Sequence, residues 1–167
     1  MQQGGWNFTT RTILTEETNR EPLEVSLVHR LREDLQVGIE VGVDSNEYYP
    51  LVNYRILDAT EDHPAVVLGT SSAWPSDEVD GNAFSVTAAQ VLGPRLSGSL
   101  SLAYIPDNSE WRIPASLRYG IAPDLEATLI YDGDDLHPLV TWRSNQFSFS
   151  FIMLGAEDPT LSVSVGF

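Results

Sequence analysis

Arg11, Glu40, Asn53, Arg55, Arg112, Arg118, Glu126, Thr141 and Arg143 each occupy alternate positions in segments whose intervening positions are mostly apolar. Side chains on a strand point alternately to its two faces, so these residues share the polar face. Arginine suits a confined polar space, because its guanidinium keeps its charge when partly desolvated and offers a planar fork of donors to carboxylates. Two uses of such a face remain open. A file of arginines would take an acidic sugar or another anion, entered past an acidic rim. Alternatively, Glu40 and Glu126 neutralise neighbouring arginines and fill the interior with an internal network, as side chains do in small closed sheets.

Catalytic arrangements fit less well. Ser109, His137 and the acids Asp134 and Asp135 are the best set for nucleophilic hydrolysis, but a triad needs nucleophile and base within hydrogen-bond reach and nothing in the spacing joins Ser109 to His137. His137 precedes Pro138 at a segment start and reads as a rim residue. Asp132-Gly133-Asp134-Asp135 has the look of a calcium loop without its remaining ligand spacing or closing Glu, and a tight acidic turn accounts for it. His29, His63 and His137 are scattered and there is no cysteine, so no metal site, disulfide or cofactor is expected, and the chain is expected not to be an enzyme. The 167 residues carry 24 acids against 9 bases, all arginine, for a formal charge of −15. A chain so acidic is repelled by nucleic acid, which is therefore excluded as a partner.

The elements that hold these residues are short and alternating. Twelve segments recur, at about 5–14, 23–32, 35–44, 48–57, 64–74, 83–92, 95–105, 110–120, 123–132, 136–143, 146–154 and 160–167, separated by Asp, Asn, Pro, Gly and Glu. The pattern predicts an all-β protein in a meander of hairpins, one domain over 1–167. Val37, Ile39, Val41 and Val43 alternate with Gln36, Gly38, Glu40 and Gly42; Phe147, Phe149, Phe151 and Met153 alternate with small polar residues. A soluble sandwich or an apolar-ligand calyx turns such an apolar face inward, whereas a membrane barrel turns it outward to lipid. The aromatics favour the second. Trp6, Trp74, Tyr104, Trp111, Tyr119, Tyr131, Trp142, Phe147 and Phe167 fall at segment ends, where two membrane interfaces would lie. On that reading Ile39, Val41, Leu117, Leu129, Phe149 and Val163 face lipid. Counting back from Phe167 sorts the turns into two classes. The class 15–22, 44–48, 75–82, 106–110, 132–135 and 155–159 is the more acidic and is assigned to the outer side.

Four prolines test this scheme, since each removes a ladder donor. Pro50, Pro64 and Pro138 are expected at strand starts, and Pro114 is expected to force a bulge or a break. The fifth and sixth segments alternate poorly, which leaves ten strands with one long loop as an alternative count. No apolar run reaches the roughly 18 residues of a membrane helix. Met1-Gln2-Gln3-Gly4-Gly5 has neither a basic nor an apolar signal region, so a mature chain is expected, its signal already removed.

The last residues give the first resemblance. Leu161, Val163, Val165 and the terminal Phe167 alternate with Thr160, Ser162, Ser164 and Gly166, and this ending resembles the C-terminal strand of bacterial outer-membrane β-barrels, which the barrel-assembly machinery reads. Asn53-Tyr54-Arg55-Ile56-Leu57 followed by His63-Pro64-Ala65-Val66-Val67-Leu68-Gly69-Thr70, with Leu136-His137-Pro138-Leu139-Val140-Thr141 and Asp158-Pro159, resembles the repeated hairpin of the exopolysaccharide-associated barrels typified by YjbH. The resemblances imply a bacterial outer-membrane location, with outer-membrane lipid, the assembly machinery and other envelope proteins as partners. The fold expected is a closed, antiparallel, up-and-down transmembrane β-barrel of about twelve strands, its first segment paired with 160–167. Its expected role is that of a narrow pore or a structural component of an envelope assembly.

Overall fold

The computed structural model describes residues 5–15, 18–72 and 81–167. Its strands are β1 (Trp6–Ile13), β2 (Leu23–Arg30), β3 (Leu35–Gly42), β4 (Glu47–Leu57), β5 (Ala65–Ser72), β6 (Asn82–Gly93), β7 (Leu96–Ile105), β8 (Glu110–Arg112), β9 (Ala115–Ala122), β10 (Leu125–Tyr131), β11 (Leu136–Arg143), β12 (Phe147–Leu154) and β13 (Asp158–Gly166). Every pairing is antiparallel. The first and last strands join from Asn7↔Gly166 to Ile13↔Thr160, and β6 joins β7, so the sheet closes on itself. Closure leaves no strand edge to be satisfied by solvent.

β8 and β9 are the two halves of one stave, because both pair with β7, through Ala103↔Arg112 and Leu100↔Ala115 respectively. The barrel therefore has twelve staves, and the ten-strand alternative is set aside. The break falls at Ile113 and Pro114, where the proline was expected to disrupt the ladder. The Ser101 N–H still donates to the Pro114 carbonyl at 2.8 Å, which holds the broken stave in place.

Pro64 immediately precedes β5, as expected. Pro50 and Pro138 do not sit at strand starts; they lie inside β4 and β11. Each is tolerated because a neighbouring ladder has stopped short of it. The β4–β5 ladder ends at Val52↔Thr70 and the β11–β12 ladder at Leu139↔Ile152, so the missing N–H falls where no partner strand needs it. The register shifts at Arg55/Leu57, Val91/Gly93 and Leu125/Glu126 all lie at the barrel end that also holds Trp6 and Phe167. We call this the terminal end, and the opposite end, with the turns after β1, β3, β7, β10 and β12, the loop end.

The faces are reversed relative to a soluble sandwich. Leu117, Leu129, Val140, Phe149, Phe151 and Leu161 are exposed on the outside, while Ser26, Thr128, Thr141, Thr160 and Ser162 are buried within. Exposed aromatics lie at both strand ends: Trp6, Tyr119, Trp142, Phe147 and Phe167 at the terminal end, Tyr48, Phe84, Trp111 and Tyr131 at the loop end. Two of them reach the turns at their own end with their polar tips. Trp142 Nε1 donates to Asp124 Oδ2 at 2.9 Å and the Tyr131 hydroxyl to the Gly133 carbonyl at 2.6 Å. Such amphipathic rings mark a boundary between an apolar and an aqueous layer. Tyr104 packs against Trp111 with the rings tilted by 38° and centroids 4.9 Å apart; Trp74 lies outside the described residues.

Candidate functional site: the lumen

The strand register brings charged residues of neighbouring staves together at the loop end. Arg11 of β1 donates through one guanidinium nitrogen to Glu24 of β2 and through another to Glu40 of β3, each at 2.7 Å. Ser72 of β5, two staves beyond β3, donates to Glu24 at 3.2 Å and is hydrogen-bonded to Glu40. Glu24, Glu40 and Ser72 are all buried. A carboxylate is stable in such a place only when paired and hydrogen-bonded, and the arginine fork supplies both.

A second network lies against β8, β10, β11 and β13. Arg112, buried, bonds Glu110 at 2.8 Å and Asp134 at 2.6 Å, with Asp132 at 4.0 Å. Arg20 bonds Asp158 at 2.6 Å. His137, expected at the rim, is instead 1% exposed. Its position on β11 follows the inward alternation of Leu139 and Thr141, and both ring nitrogens are engaged. Nδ1 accepts the Gly155 N–H at 2.8 Å, which leaves Nε2 as the protonated nitrogen, 3.2 Å from Asp132 Oδ2. Burial pushes the Asp132 carboxyl up, but the His137 hydrogen bond and the N–H groups of Asp135 and Asp134 outweigh it and hold Asp132 at about 2. Between the two networks Ile13, Ile152 and Leu154 form an apolar cluster inside the barrel, with Leu139 packed on it.

The other side of the lumen differs. Among the described residues, no side chain of β4, β6 or β9 is buried. In mid-strand the inward positions of β5, β6, β7 and β9 include Gly69, Ser85, Thr87, Ser99, Ser101 and Ser116, with Val67 and Ala89 among them and none of these buried; toward the loop end of β7 the inward Ala103 and Ile105 are buried. Thr87 bonds Ser101 at 2.8 Å and Ser99 bonds Ser116 at 2.7 Å across adjacent staves. The inward side chains in the middle of this wall are therefore less buried than those of the packed wall.

The residues singled out from sequence do not meet in one place. Arg11 and Glu40 pair at the loop end; Thr141, mid-lumen, bonds Ser150 at 2.8 Å. Glu126 lies between Arg143, to which it is hydrogen-bonded, and Arg118 at 3.6 Å, near the terminal end. Arg55 is held by Asp58 at 2.6 Å, and Asn53 sits beside Gly69. Arg112 and Arg118 share a stave but are six positions apart, roughly 20 Å of strand. Arg55, Arg112, Arg118 and Arg143 thus form no continuous file, because each is tied to acids of its own end. Leu161, Val163, Val165 and Phe167 face outward along the closing strand. The buried Glu24, Arg20 and Ser72 and the half-buried Asp158 were not singled out, and Asp132 was read only as part of a tight acidic turn, although Glu24 and Ser26 alternate with Leu23 and Val25 in the sequence.

A closed antiparallel sheet of twelve staves, apolar outside and polar within, is the fold of a transmembrane β-barrel. No protein-family model matches the sequence, and no curated protein matches it. Among solved structures the chain is similar to the KdgM porin in complex with disordered oligogalacturonate, with a TM-score of 0.59 at 10% identity over 98% of each chain. It is also similar to the NanC porin, with a TM-score of 0.45 at 12% identity over 96% of this chain and 97% of that one. At such identities the likeness is one of fold.

Proposed function

We propose that the protein is a non-enzymatic barrel of a bacterial outer membrane and forms a narrow, low-conductance pore. The observation that carries this reading is the asymmetry of the lumen, with a passage of small hydroxyl-bearing side chains beside a wall packed solid with ion pairs and aliphatic residues. Twelve staves enclose a space between that of side-chain-filled small barrels and that of wide porins, and the packed wall narrows it further. Arg118 and Arg143 stand half-exposed at the terminal mouth with Glu126 as their shared acid, which favours anions there. The acidic turns of the loop end enrich cations at the opposite mouth, an effect that fades as salt shortens the Debye length. Catalysis finds no support, since both nitrogens of His137 are engaged and no described contact joins Ser109 to it. Leu161, Val163, Val165 and Phe167 serve as the assembly signal in this reading. A finer placement, in an exopolysaccharide-handling envelope assembly, is supported by the hairpin phrases 53–57 and 63–70, which form the paired ends of β4 and β5.

Planar-bilayer conductance tests the proposal, with ion selectivity taken at low and high salt. A small conductance is expected, with a loss of anion preference when Arg118 and Arg143 are shortened to Ala. Silence from both the native barrel and the double variant would eliminate the pore and leave a structural role in the envelope.

A further inference from the structure

At its loop end the wall of the barrel has a notch. The β4–β5 ladder stops at Val52↔Thr70, and the Thr70 hydroxyl takes over as partner, accepting the Val52 N–H at 3.1 Å and donating to the Pro50 carbonyl at 2.7 Å. Beyond this point Ser72 has turned into the lumen toward Glu24 and Glu40. The end of β4 is left facing the start of β6 and the turn between β7 and β8. A cavity of about 390 Å³ occupies this notch, lined by Glu47, Tyr48, Gly81, Asn82, Asp107 and Asn108 among others. Its size falls within the range of small-ligand sites.

We propose that this notch is a binding site for a neutral saccharide of one or two pyranose rings. The lining is the chemistry that vicinal hydroxyls require. Glu47 and Asp107 are planar two-oxygen acceptors, while the amides of Asn82 and Asn108 each offer two donors and an acceptor. Tyr48, 66% exposed, presents a ring on which the apolar face of a pyranose can rest. Two further observations point to a ligand. Asn82 Oδ1 is buried without a hydrogen-bond partner, a condition that a donor hydroxyl would relieve. Gly81, at φ 104°, lies so close beneath Asp107 that a Cβ there would come within 2.1 Å of Oδ2. Only glycine lets the carboxylate fold down along the cavity. Among the described residues the lining holds two carboxylates and no arginine or histidine, so it repels uronates and other anionic sugars. The site is separate from the passage along β5 to β9, and binding there requires no conduction.

Isothermal titration calorimetry of the detergent-solubilised barrel with maltose, cellobiose and digalacturonate tests the assignment. Saturable binding of a neutral disaccharide is expected, with digalacturonate silent. Asp107→Ala and Asn82→Ala should each weaken binding tenfold or more, and Ser97→Ala, at the terminal end, should leave it unchanged. Heat-modifiable gel mobility checks that each variant is folded, and Glu47→Gln replaces any that is not. The assignment is overturned if neither neutral disaccharide binds, if digalacturonate binds more tightly, or if binding survives in the Asp107→Ala, Asn82→Ala double variant. A barrel that binds maltose or cellobiose but never conducts would refute the pore and leave this site standing.

Discussion

The inward faces of β10 to β13 and β1 to β3 are packed with Arg11, Glu24, Glu40, His137, Ile152, Leu154 and Thr160, all but Arg11 buried. In mid-strand the facing staves β5, β6, β7 and β9 turn Gly69, Ser85, Thr87, Ser99, Ser101 and Ser116 toward the same space, and none of these is buried, whereas Ala103 and Ile105 of β7 are buried toward the loop end. Both walls obey the same period-two alternation, so the difference lies in side-chain volume and charge alone. Large residues on one side fill the lumen to its middle, and small ones on the other leave room for water. A barrel of intermediate girth is thereby made narrow without a plug domain, and its stability and its permeability are assigned to different staves.

The comparison breaks most severely if the packed wall loses a charge. Arg11→Ala leaves Glu24 and Glu40 buried beside each other with their shared cation gone, and Glu40→Ala removes half of the fork's partners. Breaking a buried pair in this way costs about 3–5 kcal/mol, read as a fall in the urea midpoint of the barrel in detergent. If Arg11→Ala is neutral, the network is solvated and the wall is not a packed one.

Next come the aliphatic residues. Leu154 is 0% exposed, and Leu154→Ala should destabilise by about 2–5 kcal/mol through the cavity it leaves. Ser99→Ala on the facing wall should change stability by under about 0.5 kcal/mol, as a partly solvated surface change does. Equal effects at the two sites would erase the distinction between the walls. On the outside, Leu117→Arg, as an exposed lipid-facing change, should cost about 2–4 kcal/mol near the midplane. Ser116→Arg, directed into the open side of the lumen, should cost less. The opposite order would mean that the apolar face is the interior.

Much of this architecture was legible in the residues. The alternation of Val37, Ile39 and Val41 with Gln36, Gly38 and Glu40 predicts β3, the terminal octapeptide predicts the closing strand, and Pro114 predicts the break between β8 and β9. The lumen was less legible, for two physical reasons. Which charges meet depends on the stagger of neighbouring staves: Arg11↔Glu24 and Ser26↔Glu40 are cross-strand pairs, and only their combination sets one guanidinium against two carboxylates. The second reason is that the inward face changes character along a strand. In β12 the order Phe147-Ser148-Phe149-Ser150-Phe151 alternates, but Ile152-Met153-Leu154 is apolar throughout, and nothing in that tripeptide says that two of its members fill the lumen. His137 read as a rim residue because Pro138 read as a strand start; the proline lies inside β11, and the histidine goes inward with it.

Acid should also act on the packed wall selectively, through Asp132. Its carboxyl, raised by burial but lowered more by His137 and by the N–H groups of Asp134 and Asp135, sits at about 2 in the folded barrel, against about 3.9 in an unfolded chain. Because the folded value is the lower one, the unfolded chain binds the proton more readily, and folding is favoured wherever Asp132 is ionised in both states. The stabilisation is thus fully present above about pH 4, declines as the pH falls toward 2, and is gone below the folded value. Integrated over that window it amounts to about 3 kcal/mol. Urea midpoints measured between pH 5 and pH 2 should fall for the native barrel by more than for Asp132→Asn, which lacks the titrating group. Ser99→Ala should follow the native curve, since the open wall carries no charge that titrates in this range. Superposition of the Asp132→Asn and native profiles would show that the aspartate is solvated at the loop end and contributes nothing to the packed wall.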